Sequence, residues 1–125
     1  MTERIRIAVP TEGPGGVDAP RSAHFGHAAS FTLVDVEDGA ITSSAVIMNP
    51  PHVPGGCGAT VGMLADIGAG AAIVVGMGGG PRAAMASHGM QALFDDVSAT
   101  PRQAVEAYLA GGLRPFGADH QCAGR

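Results

Sequence analysis

The chain has 125 residues, 46% of them hydrophobic, and carries 7 Lys plus Arg against 11 Asp plus Glu for a formal net charge of -4. That is the length of one ordinary domain with enough apolar material for a core, and too little positive charge for a stripe that tracks phosphates, which argues against nucleic acid as a partner. No run approaches the roughly 18 apolar residues of a membrane span, and the opening MTERIRIAVP mixes charge with apolar positions, so a cytoplasmic protein with no export signal and no membrane anchor is expected.

Residues 4–9 alternate as Arg-Ile-Arg-Ile-Ala-Val and predict a first strand that stops at Pro10. Residues 11–23 hold Gly, Pro, Asp and Ser without periodicity, which predicts a long loop ending near His24. Phe31 to Val36 and Ile41 to Ile47 read as strands, and Asp38-Gly39 between them makes the pair a hairpin. In MNPPHVPGGC, residues 48–57, three prolines and two glycines rule out a helix or a central strand. This second loop leads to Cys57 and then to a helix over Ala59 to Ala69, with Val61, Leu64 and Ala65 on one face and Gly68 and Gly70 at its end.

Ala71 to Val75 is a continuous apolar run, as expected of a strand buried on both faces. Gly76 to Gly80 predicts a turn, Pro81 the first position of a helix running to about His88, and Gln91 to Phe94 a short strand. Thr100-Pro101-Arg102-Gln103 is a capping-box start, followed by an apolar stripe of Ala104, Val105, Tyr108 and Leu109 that ends at Gly111. The order β-β-β-α-β-α-β-α predicts a three-layer α/β/α sandwich with a mostly parallel sheet and one antiparallel strand from the hairpin. Residues 1–116 are expected to form one domain, with residues 117–125 a mobile tail.

His24-Phe25-Gly26-His27 offers two imidazoles at the end of the first long loop, although a loop histidine more often caps backbone groups. Cys57 follows Gly55-Gly56 and adjoins a helix start, where unpaired backbone N–H groups favour the thiolate, the form that binds soft metals. The plain alternative is a small buried hydrophobe. His52 shares the Cys57 loop. Gly76 to Gly80 joins a buried strand to a helix, as in an anion-binding nest, without Rossmann or Walker spacing. Arg82, just beyond, offers positive charge or is simply solvated.

Cys57 and Cys122 lie in dissimilar contexts and read as reduced thiols rather than a disulfide. His120 and Cys122 stand in the tail. No Ser-His-Asp logic appears, Glu12 and Asp18 form no obvious catalytic pair, and neither C-x-x-C nor H-x-x-x-H occurs. Binding is therefore favoured over enzymatic turnover.

Taken together, Ser22 to His27, Phe31, Gly55-Gly56-Cys57-Gly58, Val74-Val75-Gly76-Met77-Gly78, Leu93-Phe94 and Tyr108 to Leu113 resemble the dinitrogenase iron-molybdenum cofactor biosynthesis family. The likeness is to its NifX and NifB C-terminal-like members and covers nearly the whole chain. The short form with the GGC loop is similar to the orange-protein branch, associated with a molybdenum-copper sulfide cluster. The resemblance implies a ribonuclease-H-like fold whose five-stranded mixed sheet has the order 3-2-1-4-5 with strand 2 antiparallel. It also implies binding of an anionic metal-sulfur cluster, molybdenum-copper sulfide or an iron-molybdenum cofactor-like precursor, and partner proteins in cluster assembly or cell organisation.

His24, Phe25 and Gly26 match the family's H-F-G element, and Cys57 matches the cysteine of its Gly-rich loop. Many members end in a Cys-His-Gly-His-like tail, where this chain has Cys122-Ala123-Gly124-Arg125. The expected metal ligands are thus His24, His27, His52 and Cys57, with Phe25, Gly26, Gly55, Gly56, Gly78, Gly79 and Arg82 around the cofactor. The main alternative is a metal-free regulatory or scaffolding protein acting through protein contacts. An enzyme inherited with the fold ranks last, because fold does not fix function.

Overall fold

The charged-apolar alternation of the first residues separates into two faces once the chain enters a sheet. The computed structural model describes residues 4–23, 25, 28–49, 56–76 and 79–115. In it, β1 (Arg4–Thr11) turns Ile7 and Val9 to one face and Ala8 to the other, all fully buried. β1 runs past the expected stop at Pro10. Its pairing with β4 covers only Arg6 to Ala8, so Pro10 owes no N–H to a parallel ladder on that side.

β2 (Ser30–Glu37) and β3 (Ala40–Met48) form the expected hairpin. Asp38 (φ 54°) and Gly39 (φ 83°) both take the left-handed conformation that a two-residue type I′ turn demands. The other elements are α1 (Gly56–Asp66), β4 (Ala69–Val74), α2 (Gly79–Ser87), β5 (Gln91–Phe94), α3 (Pro101–Leu109) and β6 (Arg114–Pro115). The sheet order is β3-β2-β1-β4-β5-β6. β2 is antiparallel to both neighbours, and β1, β4 and β5 run parallel, which is the 3-2-1-4-5 mixed sheet expected. The two-residue β6, antiparallel to β5, adds a sixth strand too short to show any periodicity in the sequence.

The layers follow from the apolar faces. Val61 and Leu64 of α1 and Met85 of α2 pack with Ala8, Phe31, Leu33, Ala72 and Val74. Ala104 and Val105 of α3 pack on the opposite face with Ile7, Val9, Val34, Val36, Ala71 and Ile73. Each large apolar side chain so buried contributes about 1.5–3 kcal/mol, and this two-sided burial fixes the three-layer order.

The boundaries of α1 and α2 also differ from the sequence reading. α1 begins at Gly56 and ends at Asp66, with Gly68 at φ 86° closing the turn through its N–H to Ala65 O at 3.0 Å, so Ala69 and Gly70 belong to β4. Cys57 therefore lies within the first helical turn rather than ahead of it. α2 begins at Gly79, making Pro81 its third residue, where a missing N–H costs no helical bond.

α3 follows its capping signals. Thr100 accepts from the Gln103 N–H at 3.3 Å, and Gln103 Oε1 accepts from the Ala99 N–H at 2.9 Å, one residue earlier than a strict capping box. Gly111 (φ 77°) donates to Tyr108 O and Gly112 to Ala107 O, both at 2.9 Å, closing a Schellman motif. Among the described residues no helix is long and apolar enough to cross a membrane.

Candidate functional site

The strand directions bring the connections that follow β1, β3, β4 and β5 to one end of the sheet, and α1, α2 and α3 all start there. β1 leads away to β2 on one side while β4 leads through α2 to β5 on the other. The strand order thus reverses between β1 and β4, the point where open α/β sheets place their ligands.

Cys57 and Gly56 lie in the first turn of α1 at this end, and Gly79 opens α2. Arg82 is the fourth residue of α2 and is half-buried. His24, Gly26, His27, His52, Gly55 and Gly78 belong by sequence to the connections that gather here, and themselves lie outside the described residues, as does the tail with His120 and Cys122. Asn49 ties two of these connections together, its N–H donating to Ala29 O at 3.1 Å and its Nδ2 to Ala28 O at 2.8 Å.

Phe25, expected around the cofactor, packs in the core. It is 1% exposed, meets Phe31 edge-on with ring centroids 5.3 Å apart, and belongs to the core beneath α1 and α2. A phenyl ring in a loop gains more from that core than from a surface.

The 12–20 loop is held by a set of buried hydroxyls. On the α3 face the apolar stripes of β1 and β2 give way to Thr11, Thr32 and Ser30, each fully buried. Thr11 Oγ1 lies 2.7 Å from Ser30 Oγ and 3.1 Å from Thr32 Oγ1, Ser30 Oγ donates to Gly13 O at 3.0 Å, and the Gly16 N–H donates to Thr32 Oγ1 at 2.9 Å. Gly15 (φ 76°) sits so close that an added Cβ would fall 2.7 Å from Ser30 Oγ. Val17 packs in the α3-side core and Phe25 in the opposite one, so the chain crosses the end of the sheet between them.

At that crossing lies an ion pair that sequence reasoning missed. Arg21 bridges Thr11 on the side of β1 away from β2, and Asp95 follows β5 with its N–H on Val74 O at 3.1 Å. Both side chains are only 4% exposed, and Arg21 Nη1 is 3.5 Å from Asp95 Oδ2 and 3.1 Å from Ser98 O. Asp95 Oδ1 accepts from the Val97 and Ser98 N–H groups at 2.9 and 3.2 Å. Arg21 Nε and Nη2 and Asp95 Oδ2 have no hydrogen-bond partner among the described residues. Each such buried group costs about 1–3 kcal/mol.

Burial pushes the Arg21 guanidinium below its ordinary value, against the charges of Asp95 and Asp96. Burial opposes the Asp95 charge too, but bonds from Ser98 and Val97 and the Arg21 charge outweigh it and hold the carboxyl below its usual range. Arg21 between Pro20 and Ser22 reads as a solvated loop cation, and Asp95 reads as a turn residue. Nothing in their spacing announces that they meet. Among the described residues no group of three or more His, Cys, Asp and Glu is placed to hold a metal ion.

The family model for the dinitrogenase iron-molybdenum cofactor matches residues 3–111. The chain belongs to the dinitrogenase iron-molybdenum cofactor family. Among solved structures, the apo form of the orange protein from Desulfovibrio gigas is 30% identical, with a TM-score of 0.75 over 90% of this chain and 96% of that one. A candidate NifB protein from Thermotoga is 22% identical, with a TM-score of 0.73 over 92% and 98%. A candidate dinitrogenase from Methanocaldococcus jannaschii is 12% identical, also at 0.73, over 92% and 97%. These last two share the fold. No curated protein sequence matches the chain.

Proposed function

We propose that the chain binds or carries an anionic metal-sulfur cluster at the loop end of the sheet, without turning over a substrate. The observation that carries this reading is topological. Strand order reverses between β1 and β4 at the end where Cys57 enters α1 and where the connections holding His24, His27 and His52 belong. Membership of the iron-molybdenum cofactor family supports it, and likeness to the orange protein favours a molybdenum-copper sulfide cargo over an iron-molybdenum precursor.

The donor set suits such a cargo. Two cysteines cannot supply the four thiolates of a conventional iron-sulfur cluster, so the cluster must bring its own sulfides. Cys57 then supplies one soft ligand and His24, His27 and His52 supply imidazoles. Backbone N–H groups in the first turns of α1 and α2 stabilise the anion's charge.

The test is reconstitution with tetrathiomolybdate and copper followed by gel filtration. Amino-acid side chains do not absorb visible light, so visible absorption that co-elutes with the chain belongs to the cargo. We expect Cys57→Ala to lower metal per chain in part, and His24→Ala combined with Cys57→Ala to lose far more than either change alone. Colour that elutes wholly with small molecules overturns the reading.

A further inference from the structure

Two arginines of this chain, Arg6 and Arg102, grip a carboxylate through the same pair of nitrogens, and Arg21 does not. Arg6 places Nε 2.7 Å and Nη2 3.2 Å from the two oxygens of Asp35, and Arg102 places the same two nitrogens 3.0 and 3.2 Å from those of Asp18. This edge of the guanidinium presents two parallel N–H groups and is the fork suited to two neighbouring acceptor atoms. Arg21 turns the other nitrogen, Nη1, to Ser98 O and Asp95, and its Nε and Nη2 have no partner among the described residues although the side chain is 4% exposed.

The position of this fork is as informative as its lack of partners. The backbone of Arg21 is bridged to Thr11 at the end of β1, and Asp95 is bonded to Val74 at the end of β4. The guanidinium therefore reaches from the end of β1 to the residue that follows β5, across the end of the sheet where strand order reverses. Asp95 is fixed by two backbone N–H groups and by the proximity of Arg21, so it holds the guanidinium in place while leaving the paired edge to another acceptor.

We propose that Arg21 is the anion-recognising residue of this end of the molecule, its Nε and Nη2 edge donating to two neighbouring oxygen or sulfur atoms of a tetrahedral dianion, with Asp95 as its positioning residue. This rests on the cargo reading above, for which a thio- or oxometalate is the matching tetrahedral dianion. Phosphate shares the shape and charge, and the two sources are separable by measurement.

The experiment is calorimetric titration of the intact chain with tetrathiomolybdate, molybdate and phosphate in turn. The parent is compared with Arg21→Lys, which keeps a charge opposite Asp95 but loses the planar fork. Arg4→Gln removes a distant exposed charge as a control. Circular dichroism checks folding, and if Arg21→Lys does not fold, the neutral pair Arg21→Gln with Asp95→Asn takes its place.

We expect at least tenfold weaker tetrathiomolybdate binding in Arg21→Lys and less than twofold change in Arg4→Gln. Equal binding by parent and Arg21→Lys, equal loss in Arg4→Gln, or no binding of any of the three anions to the parent overturns the proposal. Phosphate bound more tightly than either metalate, and lost in Arg21→Lys, upholds the fork while removing support for the cargo. Conversely, if Arg21→Lys retains a reconstituted cluster as the parent does, the cargo reading survives and the role of Arg21 falls.

Discussion

The two ends of the sheet each hold an arginine-aspartate pair, and the pairs are built on opposite terms. At the end where β1 begins, Asp35 receives two bonds from Arg6 and one from Ser43 Oγ at 2.9 Å, while Arg6 Nη1 donates to Ile67 O at 2.6 Å. Both side chains touch solvent, at 36% and 20% exposure. At the end where β1 finishes, Arg21 and Asp95 are nearly sealed and lack three hydrogen bonds among the described residues. A saturated, wet pair serves as a surface clasp, whereas an unsaturated, dry one stores polar capacity at the end where the loops gather.

The largest separation between the ends is expected on removing one partner. Asp95→Ala leaves a buried guanidinium without its counter-charge and should cost about 3–5 kcal/mol, whereas Asp35→Ala should cost about 1 kcal/mol or less because water can replace its partners. Urea unfolding of both variants checks this. Similar midpoints for the two would erase the contrast.

Glycine substitutions sharpen the comparison at a middle scale. Gly15→Ala forces a side chain onto a positive φ and against Ser30 Oγ and the Val46 side chain, at 2.7 and 2.9 Å. A loss of about 1–3 kcal/mol is expected. Gly70→Ala at the opposite end has no positive φ and meets Ile5 Cγ1 at 3.2 Å, a contact relieved by a small shift, and should cost about 1 kcal/mol or less. Thermal melts of the pair give the measurement.

The smallest effect is in pH. The Arg6 hydrogen bond, aided by Ser43 and by the charges of Arg6 and Arg4, holds the Asp35 carboxyl below its usual range against a modest opposing effect of burial. A depressed folded value means this stabilisation is complete above the unfolded aspartate value of about 3.9 and is lost as pH falls below it through the folded value. Asp35→Asn should therefore flatten the fall in stability below pH of about 4. Denaturant midpoints at stepped acid pH test this, and an acid limb as steep as the parent's would exclude Asp35 from it.

How far the chain could be read depended on whether a signal was local. The hairpin at Asp38-Gly39, the caps of α3 and the apolar run of β4 depend on neighbours in sequence, and all appear in the structure. The start of α1 is not legible in the sequence because Gly56 and Gly58 look like loop residues, although the first helical turn makes little demand on intrahelical N–H bonding. Thr11, Thr32 and Ser30 were legible in principle, as the points where the stripes Ile7-Val9 and Val36-Val34 turn polar. Arg21 and Asp95 were not, because each has an ordinary loop context and only the fold brings them together.

The parallel pairing of β1 with β4 joins residues about sixty positions apart, Arg6 with Ala69 and Ala8 with Ala72. The antiparallel meander of β1, β2 and β3 closes much shorter loops, so it can assemble first, and the β1–β4 junction carries the larger entropic barrier. The Arg21–Asp95 crossing and the reversal of strand order both lie across that junction. On the proposed reading, a chain that has formed only the three-stranded meander should bind no ligand, because both features exist only once β1 and β4 have paired.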